Sequence, residues 1–280
     1  MAWAKNLNWD IFYQVPEDLQ DKYLKRLHIE KEHPSRSYLD RLVRSHQIII
    51  PFETLDTTDF SIPVSLEPSR IANKILDQNR GGYCFELNGL FWLLLRSLGF
   101  DAWMCPCRQL RHKESYPVPI AHCGVLVYLD GKELFCDVGY GGPAARGSID
   151  LSTSEHQKIC GETFFVEKAP LTPYNPALTC THPGWYTLIR KPSHKNAPDM
   201  KLIQIAPLQC YLLDFYGASM SRSIGDSAFP IRHVARLTPD GFIDLMGNVL
   251  EIKQGPHRTK QTIDEKDIPD ALLRHFQLEY

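Results

Sequence analysis

Around residue 100 the hydrophobic pattern of this chain changes period, and that switch restricts the fold more than any other feature. From Pro16 onward apolar side chains recur at helical spacing: Leu19, Tyr23, Leu24 and Leu27, then Leu39, Leu42 and Val43 within residues 35–46, then Ile71, Ile75 and Leu76 after Pro68. The most apolar stretch places Leu87, Leu90, Phe91, Leu94 and Leu98 on one face and ends at Gly99, where a left-handed cap is favoured. Such a helix belongs in a core. From Asp101 the pattern alternates with period two and is rich in β-branched and aromatic residues. Asp130-Gly131 separates two apolar runs, 120–129 and 132–138, and favours a two-residue type I′ hairpin. Further strands are expected at 163–166, 185–189 and 203–206, in a sheet or small barrel, with surface loops across much of 143–200. A second hairpin is expected from 231–237 and 242–252 around Thr238-Pro239-Asp240-Gly241, and a last helix at 268–276. The fold class that follows is α+β, helices first and strands after.

Composition narrows the function classes. The chain has 280 residues, 43% hydrophobic and 23% charged, with a net charge of -2, which excludes collagenous, coiled-coil and wholly disordered readings. Length alone suggests about two domains, or three small ones sharing a core. A near-neutral chain lacks the basic field that sequence-independent nucleic-acid binding requires, so an anionic ligand has to be held by local charges. Eight cysteines, at 84, 105, 107, 123, 136, 160, 180 and 210, raise the question of disulfides. Residues 1–13 lack the apolar core of a signal peptide, no glycosylation sequon occurs, and the longest apolar run, 90–95, is far short of a membrane span. The expectation is a cytoplasmic protein with reduced thiols and no membrane partner.

One of those cysteines has chemical context. In Arg80-Gly81-Gly82-Tyr83-Cys84-Phe85-Glu86-Leu87-Asn88-Gly89 the cysteine falls at the mouth of the apolar helix, where the positive end of the dipole favours a thiolate. The two glycines permit a tight or left-handed turn before it. A buried cysteine at the start of a core helix is the bland alternative. The hairpin supplies partners. If Leu129 faces Lys132, the register places His122 opposite Gly139 and diagonal to Asp137, about 7–8 Å apart at Cα. A carboxylate beside an imidazole fixes its tautomer and leaves the other nitrogen for a thiol proton. A zinc site from Cys105, Cys107, His112, Cys123 and Cys136 is set aside, because no C-x2-C pair occurs and Cys-Pro-Cys is a poor chelating knuckle. No metal is expected.

These residues bring a resemblance with them. The run RGGYCFELN at 80–88, Ile50-Pro51-Phe52-Glu53, Ala121-His122 and Asp137-Val138-Gly139-Tyr140-Gly141 together closely resemble the arylamine N-acetyltransferase family. The resemblance implies an N-terminal helical bundle (1–103) carrying the nucleophile, a central β-barrel (104–206) carrying histidine and aspartate, and a C-terminal α/β lid (207–280), with a catalytic core like that of cysteine peptidases. It implies Cys84, His122 and Asp137 as a catalytic triad, with Phe52, Tyr140, Gly139 and Gly141 at the substrate. Glu53 and Arg80 are expected as a structural ion pair behind the site, and Thr54 stands where the family often has asparagine. Function then reads as transfer of an acetyl, propionyl or malonyl group from acyl-coenzyme A, through an acyl-cysteine, to an arylamine or hydrazine. Acetyl-CoA or malonyl-CoA enters as co-substrate with no tightly bound cofactor, and the protein acts as a monomer in xenobiotic metabolism. A Cys-His-Asp peptidase or transglutaminase, or a catalytically silent binding protein of the same fold, is the alternative. Arg108 and Arg111 are candidates for a carboxylate on the acyl group, against a solvated basic face.

Overall fold

The structure is a computed structural model; it describes residue 11 and residues 14–110, 119–142, 144–169, 184–192, 197–224 and 228–280. Arg111, His112, Cys180 and most of residues 1–13 lie outside that set. Helices α1 (Leu19–Leu27) and α2 (Arg36–Ile49) open the chain. The Ser35 side chain accepts from the Tyr38 amide and starts α2, satisfying one of the donors a helix end leaves open. Strand β1 (Phe52–Glu53) and two short helices, α3 (Leu55–Thr58) and α4 (Pro68–Ala72), follow, and α4 runs on into a π-helical turn over Asn73–Asp77. Helix α5 (Cys84–Ser97) is buried on almost every side, as its apolar sequence requires, and Gly99 after it has φ of 88°. Leu87, Leu90, Phe91 and Leu94 are fully buried in the largest core with α1, α2 and one face of the barrel.

The barrel is an eight-stranded antiparallel sheet, nearly closed. Its strands are β2 (Asp101–Gln109), β3 (His122–Leu129), β4 (Lys132–Cys136), β5 (Ile149–Asp150), β6 (Gln157–Ile159), β7 (Glu162–Lys168), β8 (Tyr186–Lys191) and β9 (Met200–Ile205), in the order β5-β4-β3-β2-β9-β8-β7-β6. Both turn residues Asp130 and Gly131 have positive φ, 50° and 73°, as a type I′ turn needs, and Leu129 pairs with Lys132. Between the two edge strands a side chain replaces the missing backbone rungs. The Gln157 amide accepts from the Asp150 N–H and donates to the Asp150 carbonyl, both at 2.8 Å. Strands β7, β8 and β9 fall on the stretches expected as strands, 163–166, 185–189 and 203–206, while β5 and β6 lie where surface loops are expected.

A second sheet has the order β1-β10-β11-β12-β13, with β10 (His233–Thr238), β11 (Gly241–Met246), β12 (Val249–Gln254) and β13 (His257–Thr262). Between the sheets come α6 (Tyr216–Ser223) and, at the end, α7 (Ile268–Phe276), whose Ile268, Leu272 and Phe276 pack on Val234, Leu245 and Leu250. Two sequence expectations are corrected, and one strand has no counterpart in the sequence pattern. The stretch before residue 100 is not wholly helical, since Phe52 and Glu53 pair with Ala235 and Val234. The run 242–252 is two strands, broken where Gly247 turns with φ of 60°. Strand β13 is exposed throughout and so carries no apolar alternation to announce it.

Gln157→Leu removes both rungs at the barrel seam and strands two polar groups of buried Asp150. Unfolding by urea is expected to show stability lower by about 2 kcal/mol; an unchanged midpoint would mean the seam is held by something else.

Candidate active site

Cys84 is the first residue of α5, 5% exposed, at the positive end of the helix. What brings the chain there is close packing rather than a left-handed turn: neither Gly81 nor Gly82 has positive φ. A Cβ at Gly81 would sit 2.2 Å from the Pro51 carbonyl oxygen, and one at Gly82 2.9 Å from Glu86 Cβ. Both glycines let the segment press against β1 and the helix start.

The hairpin delivers the other two groups. The register runs as expected to Val125 opposite Cys136, and there Asp137 leaves the strand, so Gly139 is not a ladder partner of His122. His122, at the start of β3 and 1% exposed, meets Asp137 through Nε2 and Oδ2 at 2.7 Å. Among the described residues its buried Nδ1 has no nitrogen or oxygen partner. The Cys84 sulfur lies 4.0 Å from the carbonyl oxygen of Ala121, the residue before that histidine. Burial works against a charged ring, but the adjacent Asp137 carboxylate, helped by Cys84, outweighs it and pushes His122 up to about 10.

Two amide side chains fix Asp137, one at its carboxylate and one at its backbone. Asn88, one turn along α5 from Cys84, donates to Asp137 Oδ1 (3.0 Å) and to the Cys123 carbonyl (2.8 Å), and accepts from the Val138 N–H (2.9 Å). The Gly139 N–H adds a further bond to Oδ1 at 2.9 Å. From α2, Gln47 donates to the carbonyls of Asp137 and Ala145, each at 2.9 Å. A Cβ on Gly139 would lie 2.8 Å from Cys84 Cα, so only glycine allows the loop this close to the helix start.

Behind the site Glu53 and Arg80 do pair, at 2.7 Å, within a larger network. Lys74 reaches Asp56 at 2.7 Å and Glu86 at 2.9 Å, and Arg80 also reaches Asp56 at 2.9 Å. Glu86 accepts from the Tyr83 N–H, capping the helix that starts at Cys84. Burial pushes the Glu86 carboxyl up to about 7 against the pull of Lys74. Lys74 itself is held above its ordinary range, because its carboxylate neighbours outweigh burial. Thr54 bonds to both backbone groups of His233, so it ties β1 to β10 without an asparagine amide.

Phe52, Val138, Tyr140, Gly141 and Phe242 line a small, largely apolar pocket. A Cβ on Gly141, φ of 68°, would meet the Phe52 ring at 3.1 Å. The Tyr140 ring stands edge-on to His122, centroids 6.2 Å apart. Arg108 is not on a solvated face: it is half-buried, its guanidinium 4.8 Å from the Trp185 ring centre. Cys105 and Cys107 are buried side by side, sulfurs 3.9 Å apart.

Similarity to known proteins decides the family. A family model for N-acetyltransferases matches residues 37–280. This chain belongs to the arylamine N-acetyltransferase family. The arylamine N-acetyltransferase / N-hydroxyarylamine O-acetyltransferase of Salmonella typhimurium is 36% identical over 138 residues, 49% of this chain and 48% of that protein. The chain therefore spans about half the length of such curated relatives it matches. The solved arylamine N-acetyltransferase of Salmonella typhimurium superimposes with a TM-score of 0.81 at 22% identity, covering 95% of this chain and 92% of that one. A Bacillus cereus arylamine N-acetyltransferase structure, described as having a unique Cys-His-Glu catalytic triad, has a TM-score of 0.80 at 20% identity, over 95% and 100%.

Against the family's motifs, the residues that sequence reasoning missed are the amides and Lys74. Asn88 had a signal, lying four residues after Cys84 on the same helix face. Gln47 and Lys74 had none, since their partners are distant in sequence.

The proton on His122 makes this arylamine N-acetyltransferase family member pH-sensitive in a predictable sense. Its pKa in the folded chain, about 10, lies above the ordinary 6.5, so the stabilisation is complete below 6.5 and is lost as pH rises through about 10. Denaturant unfolding is expected to show stability falling over that window, and Asp137→Asn is expected to flatten the fall. Equal slopes in the two proteins would contradict the assignment.

Proposed function

We propose that this protein is an acyl-coenzyme A-dependent N-acyltransferase that acetylates arylamines or hydrazines through an acyl-cysteine on Cys84, with His122 and Asp137 as the other members of a catalytic triad. The observation that carries this reading is the His122–Asp137 pair at 2.7 Å presented to a cysteine at a helix N-terminus. An imidazolium beside a sulfur favours thiolate, the form that attacks. In the first half-reaction Cys84 Sγ forms a bond to the thioester carbonyl carbon, the carbon–sulfur bond to coenzyme A breaks, and His122 gives its proton to the departing sulfur. In the second, the amine nitrogen attacks the acyl-cysteine, His122 takes the amine proton, and the amide leaves as Cys84 is regenerated. Asp137 keeps the ring oriented and offsets its charge in both halves. Where the Bacillus cereus protein has glutamate, this chain presents the shorter aspartate.

The acceptor is assigned to the pocket of Phe52 and Tyr140, whose faces suit a planar amine, with Gly139 and Gly141 keeping the loop close to the thiol. Acetyl is the assigned acyl group, with propionyl and malonyl the donors to compare, and xenobiotic amines are the assigned acceptor class. The chain is assigned to the cytoplasm as a monomer. Among the described residues no cysteine is in a disulfide, and no helix is long and apolar enough to cross a membrane.

Initial rates with acetyl-, propionyl- and malonyl-coenzyme A, each varied against a panel of aromatic amines, test the scheme. Parallel double-reciprocal lines are expected, and Cys84→Ala is expected to lower turnover by roughly three orders of magnitude or more with the fold intact. Intersecting lines would rule out the double displacement.

A further inference from the structure

Away from the acyl-transfer site, a cavity of about 610 Å³ opens where α2 meets the barrel seam, a size typical of small-molecule sites. It shares no lining residue with the pocket of Phe52 and Tyr140. Six basic side chains line it, Arg36, Arg41, Arg44, Lys132, Arg146 and Lys158, against the carboxylates of Asp40, Asp150 and Glu155. Such an excess is notable in a chain whose net charge is -2. Arg41 is turned to Glu32, which leaves five cations against three carboxylates.

The partners of those groups show where the uncompensated charge lies. Asp150 is taken by Lys132 at 3.0 Å and Arg36 at 3.9 Å. Asp40 accepts from the Ser148 N–H at 2.6 Å and its hydroxyl at 2.7 Å, a bond pair that fixes the cavity wall. Arg146 is held by the carbonyls of Thr238, Pro239 and Gly241, which orient its guanidinium, and it makes no ion pair among the described residues. Burial holds Arg146 below the usual guanidinium range against the pull of Glu162, Cys160 and Asp240, with a smaller contribution from Arg44 in the same direction as burial. Arg44 and Lys158 are exposed and make no ion pair among the described residues.

We propose that this cavity is a binding site for a multiply charged phosphate compound, a nucleotide or an inorganic polyphosphate, separate from the acyl-transfer site. Guanidinium groups match phosphate oxygens two at a time, and a cavity wall with more cations than carboxylates gives a multiply charged anion several such partners. The wall is already built: Asp40 pins Ser148, and Gln157 pins Asp150. An anion there would balance the excess of cations over carboxylates in the lining.

Calorimetric titration of the full chain with pyrophosphate, ADP and coenzyme A at constant ionic strength tests this, with Arg44→Glu/Lys158→Glu as the comparison. Saturable one-site binding of pyrophosphate or ADP is expected, weakened about tenfold or more in the double variant, whose circular dichroism and acetyl transfer stay unchanged. Tighter binding of ADP would identify a nucleotide, and equal affinities an inorganic polyphosphate. The proposal fails if the wild-type chain shows no saturable binding, or if the double variant binds equally well. It also fails if coenzyme A displaces the phosphate and the variant raises the KM for acyl-coenzyme A, which would place the cavity within the donor site.

Discussion

Asn88 joins the two halves of the site. Its helix begins at Cys84, and its amide bonds to Asp137 Oδ1, the Cys123 carbonyl and the Val138 N–H. One side chain thus sets the distance between the helix that presents the thiol and the hairpin that presents imidazole and carboxylate. Everything else at the site follows from that spacing. Gly139 has to be glycine because the loop now touches Cys84 Cα, and Gln47 grips the same loop from α2. The Asp137 carboxylate receives its bonds from neutral donors on one oxygen and from His122 on the other, so its charge stays directed at the ring.

A second constraint is electrostatic. Glu53, Asp56 and Glu86 converge with Lys74 and Arg80 just behind the helix start. Such a network contributes little net stability compared with apolar packing, and removing one member leaves an unpaired buried charge that costs about 3–5 kcal/mol. Its value is positional. Glu86 caps Tyr83, Arg80 anchors the strand that follows α2, and Lys74 holds both from the π-helical turn, so the segment bearing Cys84 is fixed from three directions.

Much of this is legible in the sequence where local chemistry dictates structure. Asp130-Gly131 announces its turn because both residues must take positive φ, and the hairpin register then carries His122 and Asp137 to one end. The apolar face of α5 marks it as core, with Cys84 at its mouth. Illegible are features made by contacts between distant segments. Phe52 and Glu53 are too few to show alternation, yet they pair with β10 across some 180 residues of chain. Gln157 closes the barrel with a side chain, which no hydrophobic pattern encodes. Gly81 and Gly82 are required by neighbours rather than by φ, so their reason appears only in three dimensions.

On the proposed mechanism, the thiol, imidazole and carboxylate brought together by α5 and the β3–β4 hairpin load an acyl group on Cys84. Intact-protein mass spectrometry after brief exposure to acetyl-coenzyme A without acceptor, followed by peptide mapping, measures this directly. A single acetyl group on Cys84 is expected, discharged when an arylamine is added. No covalent acyl group on the time scale of turnover, or one mapped to another cysteine, would contradict it.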